Sequence, residues 1–472
     1  MRKLAWLALS LLVLAGCAVG PKYKRPTVAP PDTYYTDPSP QANSIADLGW
    51  WELFKDPVLQ GLIQGALKNN YNVQIAAARV EEERAQSGVT RSLYFPQIGY
   101  GANISGQRAP LASSHVYYGY NVDLSWELDL WGRIRRLNEQ QRAVFLATEE
   151  AQRGVWLSLV SEVAQAYFEL RALDAQREIA LQTRESFQET LDLFNKKLDG
   201  GDASGLETSR AEGALADVLA QIPDLERQIT AKENQISLLV GKNPGPTPRG
   251  AVLSGQNDLD LVPAGLPSTL LERRPDLRQA VQQLVAANAA VGVAKANFFP
   301  VINLTGLLGG VSPQLSGLVS SGTQWSVTGG LAGPLFTGGQ LKGQYRATQA
   351  RWDQARFFYQ GLVTQAFGEV STALSAHEKL ADSLKQEARS VRAYQDSVHL
   401  ANIRYDSGLS SYFEVIDAKL QLYPAQQLEV QFDLGRKVAL VNLYKALGGG
   451  WNLSDADWMK TTANMPPNST NP

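Results

Sequence analysis

From Tyr118 to Leu130 apolar and polar residues alternate. Tyr118, Tyr120, Val122, Leu124, Trp126, Leu128 and Leu130 share one face, and Asn121, Asp123, Ser125, Glu127 and Asp129 share the other. A period of 2 predicts a strand. Its 13 residues exceed the usual length of about 5–6 and match a membrane strand of about 9–11 with margins. Gln97 to Ser105 alternates likewise, with Ile98, Tyr100, Ala102 and Ile104 at the apolar positions. A second pair follows: Ile302, Leu304 and Leu308 alternate with Asn303, Thr305 and Leu307, and Trp325, Val327 and Leu331 with Ser326, Thr328 and Gly330. Strands are expected at about 97–108, 117–130, 300–309 and 323–336. The Gly/Ser-rich link Gly309–Thr323 has the character of an exposed barrel loop. A long hairpin on a soluble sheet is the alternative reading of any one such segment.

After each strand pair the period changes. Residues 132–199 and 339–406 are free of proline, and at 1.5 Å per residue each forms a helix of roughly 100 Å. Trp156, Val160, Val163, Tyr167 and Leu170 step by 4, 3, 4, 3; Phe187, Leu191, Phe194 and Leu198 continue so, as do Val391, Tyr394, Val398, Ala401 and Tyr405. A 3.5-residue period predicts coiled-coil packing. Gly200-Gly201 and Ser407-Gly408 then turn the chain into shorter return helices, 203–240 and 410–447. Asp56-Pro57 opens an earlier helical stretch, since proline suits the first helical position; it breaks near Asn69–Asn72 and ends near Ser92. Residues 73–92 and 276–297 could stack on the return helices to match the length of the long ones.

The chain says nearly the same thing twice. Phe95-Pro96-Gln97-Ile98 recurs as Phe299-Pro300-Val301-Ile302, Leu130-Trp131-Gly132-Arg133 loosely as Leu335-Phe336-Thr337-Gly338-Gly339, and Leu198-Asp199-Gly200-Gly201-Asp202 as Tyr405-Asp406-Ser407-Gly408-Leu409. Leu239-Val240-Gly241 returns as Ala446-Leu447-Gly448. Two tandem repeats are therefore expected, 50–245 and 272–450, joined by a connector at 246–271. Residues 17–49 form a Pro-rich tether and 451–472 a tail.

Arg2-Lys3 and the apolar run Leu4–Ala15 read as a signal peptide over residues 1–16, too short to span a bilayer. Leu14-Ala15-Gly16-Cys17 resembles a bacterial lipobox, with an ordinary signal peptide as the alternative. Cys17 is the single cysteine, which excludes an intrachain disulfide. Of 44 basic residues Arg2 and Lys3 precede the cut, so 42 face 46 acidic ones, a charge of −4. That balance, without a basic run, speaks against nucleic acid. Three scattered histidines, His115, His377 and His399, offer neither a zinc cluster nor a catalytic constellation, and no enzyme or cofactor is expected. No apolar run after Cys17 reaches 18 residues, so a membrane crossing must be a β-barrel.

Four strands cannot close a barrel, since the smallest use about eight. An open sheet would leave unsatisfied backbone groups in lipid at several kcal/mol each. Other copies must complete it, which predicts an obligate homo-oligomer. The lipobox, the duplicated units, Phe-Pro before the strands, Leu-Trp-Gly-Arg after them and Arg404-Tyr405-Asp406-Ser407-Gly408 before Val415-Ile416-Asp417-Ala418 resemble the TolC-type outer-membrane efflux factors, in the lipoprotein branch serving resistance-nodulation-division pumps. The resemblance covers essentially the whole mature chain. It implies a trimer with a twelve-stranded barrel over a twelve-helix periplasmic tunnel. It also implies a periplasmic adaptor and an inner-membrane pump as partners, and a Cys17 carrying N-palmitoyl and S-diacylglycerol groups. Ala18, rather than Asp, after the cysteine implies delivery to the outer membrane.

The resemblance further implies a resting constriction at the helix tips, 198–206 and 405–413. Asp417 and Phe413 match the family's constriction acid and apolar plug; Glu414, three residues from Asp417, can share its face. Three copies would stack two carboxylate rings, a common source of cation preference. Acids favoured by the helix dipole are the alternative. Tyr405 and Asp406 match latch positions, with Asp199 and Asp202 as partners. Ser410 stands where some members carry a latch arginine, so hydroxyl and backbone bonds are expected instead. Three methionines, one the initiator, favour organic cargo over soft metals. A lipid-anchored periplasmic scaffold without a pore is the competing reading.

Overall fold

The computed structural model describes residues 18–33, 44–107, 115–202, 204–255, 267–320, 323–450, 452–454 and 458. The signal segment 1–16, Cys17, and parts of the tether, connector and tail lie outside the described residues. In chain order the elements are α1 (Trp50–Leu53), α2 (Pro57–Asn69), α3 (Tyr71–Ser92), β1 (Gln97–Gln107), β2 (His115–Leu128), α4 (Arg133–Asp199) and α5 (Gly205–Leu239). Then come α6 (Leu270–Arg273), α7 (Pro275–Ala296), β3 (Val301–Ser312), β4 (Gln324–Ala332), α8 (Gln340–Asp406) and α9 (Phe413–Ala446). Among the described residues no helix is long and apolar enough to cross a membrane.

Two compact units emerge, and both draw on both repeats: one from 1–28, 77–151 and 278–362, the other from 29–76, 152–277 and 363–472. The first contains the strands, in one antiparallel sheet ordered β1-β2-β3-β4. Its register merges the four alternating patterns. Ile98 pairs with Leu124 and Tyr100 with Val122; Val122 in turn pairs with Leu308, which pairs with Trp325. Trp126 meets Leu304, and Ile302 meets Leu331. Every apolar set thus lands on one face, and Asn121, Asp123, Ser125, Asn303, Thr305 and Thr328 on the other. The apolar face is bare: Tyr100 is 91% exposed and Trp325 74%. A monomeric soluble protein does not leave an apolar surface of that extent to water.

The ends of β2 explain Leu130-Trp131-Gly132-Arg133. The Asp129 carboxylate accepts from the Ile134 and Arg135 amides at 3.0 and 2.9 Å, satisfying donors that open α4. Arg133 grips Glu127 through two of its three nitrogens, Nε donating to Oε1 at 2.8 Å and Nη2 to Oε2 at 2.5 Å. Trp131 stacks on Phe299 at 4.8 Å and donates to the Pro300 carbonyl at 2.7 Å, so the motif of one repeat binds the Phe-Pro of the other.

The second unit is helical. Asp56 caps α2 through the Val58 amide at 2.8 Å and also accepts from the buried Tyr167 hydroxyl at 2.7 Å. Arg274, 7% exposed, holds Asp276, Glu369 and the Ala446 carbonyl together.

Several boundaries differ from expectation: β2 spans His115–Leu128 rather than 117–130, and β3 runs on to Ser312 rather than 309. β4 ends at Ala332 rather than 336. Pro334 cannot donate to a ladder, and Gly333 abuts Pro300 so closely that a Cβ there would sit 2.7 Å from it. α5 begins at Gly205 because Ser204, its amide bonded to Glu207 at 2.9 Å, acts as cap. α9 begins at Phe413, since residues 410–412 complete the turn.

Val122→Arg, on the apolar face at mid-strand, should cost about 2–4 kcal/mol, as arginine does at a bilayer midplane. Ser125→Arg, on the opposite face, should cost little. Heat-modifiability of the assembled protein on gels distinguishes the two.

Candidate functional site

The candidate site lies where the long helices turn, in the helical unit, and both turns are built alike. After α4 the Asp202 amide donates to the Lys197 carbonyl and the Gly201 amide to the Leu198 carbonyl, at 2.8 and 3.0 Å. After α8 the Leu409 amide donates to the Arg404 carbonyl and the Gly408 amide to the Tyr405 carbonyl, at 2.8 and 2.9 Å. Gly201 and Gly408 have φ of +81° and +70°, the left-handed conformation that closes such a turn and that a side chain would strain.

The two turns pack on one apolar cluster drawn from four helices: Phe194, Ala211, Ala401, Tyr412, Val415 and Ile416, with Tyr405 against it. Tyr412 stands edge-on to Phe194 at 4.9 Å and to Tyr405 at 4.8 Å. Its hydroxyl lies 2.9 Å from Thr190 Oγ1. Thr190 gives its one proton to the Ser186 carbonyl at 2.8 Å, so Tyr412 is the donor in that pair. Lys419 Nζ donates to the same Thr190 oxygen at 3.2 Å. Burial raises the Tyr412 phenol and lowers the Lys419 ammonium from their ordinary pKa values.

The residues singled out from sequence divide into exposed and packed. Asp417 is exposed and accepts from Gln421 within its own helix at 3.0 Å. Glu414 is ion-paired with Arg404 at 3.0 Å, both about half exposed. Phe413 is 51% exposed, with the Arg210 guanidinium 4.9 Å from its ring centre. Within one chain Tyr405 meets neither Asp199 nor Asp202: Lys197 donates to its hydroxyl, and that bond holds the lysine above its ordinary pKa. Asp199, Asp202 and Asp406 are exposed. The Ser410 hydroxyl is buried without a partner. Arg404, Arg210, Lys197, Thr190 and Lys419 were not singled out from sequence, since their partners lie on other helices or across a turn.

Comparison with known proteins follows the same geometry. Residues 62–242 and 266–449 match the family described as outer membrane efflux protein. The chain is 36% identical over 460 residues to the solvent efflux pump outer membrane protein SrpC of Pseudomonas putida, covering 94% of this chain and 98% of that one. It is 33% identical over 460 residues to the probable outer membrane lipoprotein SilC of Salmonella typhimurium, covering 96% and 100%. The open-state structure of the Neisseria gonorrhoeae MtrE outer membrane channel superposes with a TM-score of 0.86 at 31% identity, covering 92% and 99%.

Lys419 gives a pH prediction. Its folded pKa is depressed, so its charge opposes folding of the tips at neutral pH. That cost is relieved as pH rises toward 10.5, the ordinary value. Lys419→Met should slow amide exchange at the tips at pH 7 and remove the protection wild type gains on going alkaline. Tyr412→Phe should cost about 1 kcal/mol, read as faster exchange in 186–194 and 411–416.

A bare apolar sheet face, two open sheet edges, helices of 67 residues and family matches on both repeats agree: the chain belongs to the outer membrane efflux protein family and is a subunit of a TolC-type channel, a β-barrel in the outer membrane joined to a helical tunnel.

Proposed function

We propose that three copies of this chain form the exit duct of a tripartite efflux system. An inner-membrane pump of the resistance-nodulation-division class and a periplasmic adaptor would expel small organic compounds through it. The observation that carries this reading is the four-stranded sheet, apolar on one face and unpaired at β1 and β4. Such edges are tolerated in hydrocarbon only when another copy pairs them, and three copies supply twelve strands. Organic cargo is supported by the methionine-poor sequence and by a relative named for solvent efflux. Cys17 carries the lipid that ties each copy to the membrane.

The tips are the gate. Asp417 forms the principal ring of three carboxylates, because Glu414 is largely neutralised by Arg404. Phe413 narrows the same aperture as an apolar collar. Tyr405, held by Lys197 on one side and Tyr412 on the other, keeps the second tip against the first. Asp406, Asp199 and Asp202 are exposed and free to meet the neighbouring copy. Opening must break contacts of this kind, and the adaptor's binding energy at the tips and inter-helix grooves supplies the bias.

Asp417→Ala with Glu414→Ala should reduce cation selectivity in planar bilayers, whereas Arg404→Gln should raise it by freeing Glu414. Unchanged reversal potentials in both would remove the rings from the mechanism. Tyr405→Phe should raise resting permeability to large antibiotics in cells lacking the pump; wild-type permeability would count against the latch.

A further inference from the structure

The N-terminal strap is pinned to the strand-bearing unit at several points. The Val19 amide donates to the Trp131 carbonyl at 3.0 Å, and the Pro21 carbonyl accepts from Asn288 and Arg136 at 3.0 and 3.2 Å. Arg25 Nε donates to the Tyr359 hydroxyl at 3.2 Å. Gly20 sits so close to Gly292 that a Cβ would approach its Cα to 2.6 Å. Between these anchors Tyr23 turns inward, half-buried, while Lys22 and Lys24 stay exposed. The strap, α7 and α8 line an open-mouthed cavity of about 580 Å³, to which α7 adds Lys295 and α8 adds Tyr345, Trp352 and Asp353.

The charge of this cavity is unbalanced. Among the described residues Lys22, Lys24 and Lys295 have no ion pair, and its one acid, Asp353, is taken by Arg356 at 2.9 Å. The indole N–H of Trp352 is buried without an acceptor. The Trp352 ring lines this space, which three positive charges edge.

Sequence distance fixes the depth of the cavity. Lys295 lies six residues before β3, and Tyr345 five residues into α8. Lys295 is therefore about 10 Å beyond the start of β3, with Tyr345 beside the same segment at Phe298, against a headgroup band of about 5–8 Å on each side of the hydrocarbon. Lysine stems reach back across that margin. Phe298, 43% exposed and edge-on to Tyr345 at 6.1 Å, offers apolar surface between Lys295 and the first residue of β3.

We propose that this cavity binds the anionic headgroup of a periplasmic-leaflet phospholipid. Its phosphate would lie among Lys22, Lys24 and Lys295, with the acyl chains running past Phe298 toward the strands. The proposal rests on the outer-membrane placement argued above. The strap then does more than carry an anchor: it builds one wall of a lipid site at the junction of barrel and tunnel.

Native mass spectrometry of the full-length, lipidated oligomer, titrated with phosphatidylglycerol, phosphatidylethanolamine or inorganic phosphate, tests this. A lysine near an anionic surface is worth about fivefold in affinity. The variant Lys22→Ala/Lys24→Ala/Lys295→Ala should therefore hold phosphatidylglycerol on the order of 100-fold more weakly, and the three Lys→Arg changes should restore it. Equal retention by wild type and the alanine variant would overturn the site. So would inorganic phosphate binding as tightly as phosphatidylglycerol, or no preference for phosphatidylglycerol over phosphatidylethanolamine. Conductance of the same wild-type sample separates the two ideas: a conducting channel without lipid discrimination loses only this site, and a non-conducting one loses the proposed function.

Discussion

An unpaired strand edge cannot be left in hydrocarbon, and the rest of this structure depends on that constraint. Each bare N–H or C=O in lipid costs several kcal/mol, and β1 and β4 each present a row of them. No rearrangement within one chain removes both edges of a four-stranded sheet, so the solution is other copies of the chain. Once the barrel is shared, every residue below it is repeated around an axis. In the proposed trimer a single acid per chain at a helix tip would become a ring, and a single aromatic a collar.

In the proposed gate, neighbouring charges would keep such a ring from forcing itself open. Like charges brought together around an axis repel, yet the described tip contains both signs: Arg404 faces Glu414, Lys197 faces Tyr405, and Arg210 covers Phe413. Behind them Tyr412 and Lys419 converge on the buried Thr190 hydroxyl. The start of α9 is thereby fastened to α4 on both sides of its first turn, and Asp417 is carried on a fixed helix rather than a loose loop. The proposed gate, which must open, has reason to be built this way. Half-exposed ion pairs contribute about 1 kcal/mol or less, within what a docking partner can overcome.

Much of the fold was legible because period and register obey simple rules. Alternation marked all four strands, and the antiparallel register then brought Tyr100, Val122, Leu308 and Trp325 into one apolar row. The duplicated Gly201 and Gly408 marked both turns because only glycine takes their positive φ cheaply. What escaped the sequence lies in contacts between distant positions. Lys197 and Tyr405 are 208 residues apart, and Thr190 and Tyr412 222; neither spacing has a signature. Arg404 was visible in its motif, but its pairing with Glu414 required the turn to fold Phe413 and its neighbours back beside α8. The strap reads as a Pro-rich tether in sequence, and only its bonds to Asn288, Arg136 and Tyr359 reveal a wall.

The central claim is that β1 of one copy meets β4 of the next. Cysteines placed on β1 and β4 test it directly, one on each strand, scanned along the edges in native outer membranes and oxidised. Closure predicts covalent species of one, two and three chains and none larger, in the pairs that come into register. Monomers alone at every pair, or a ladder continuing past three, would contradict the account.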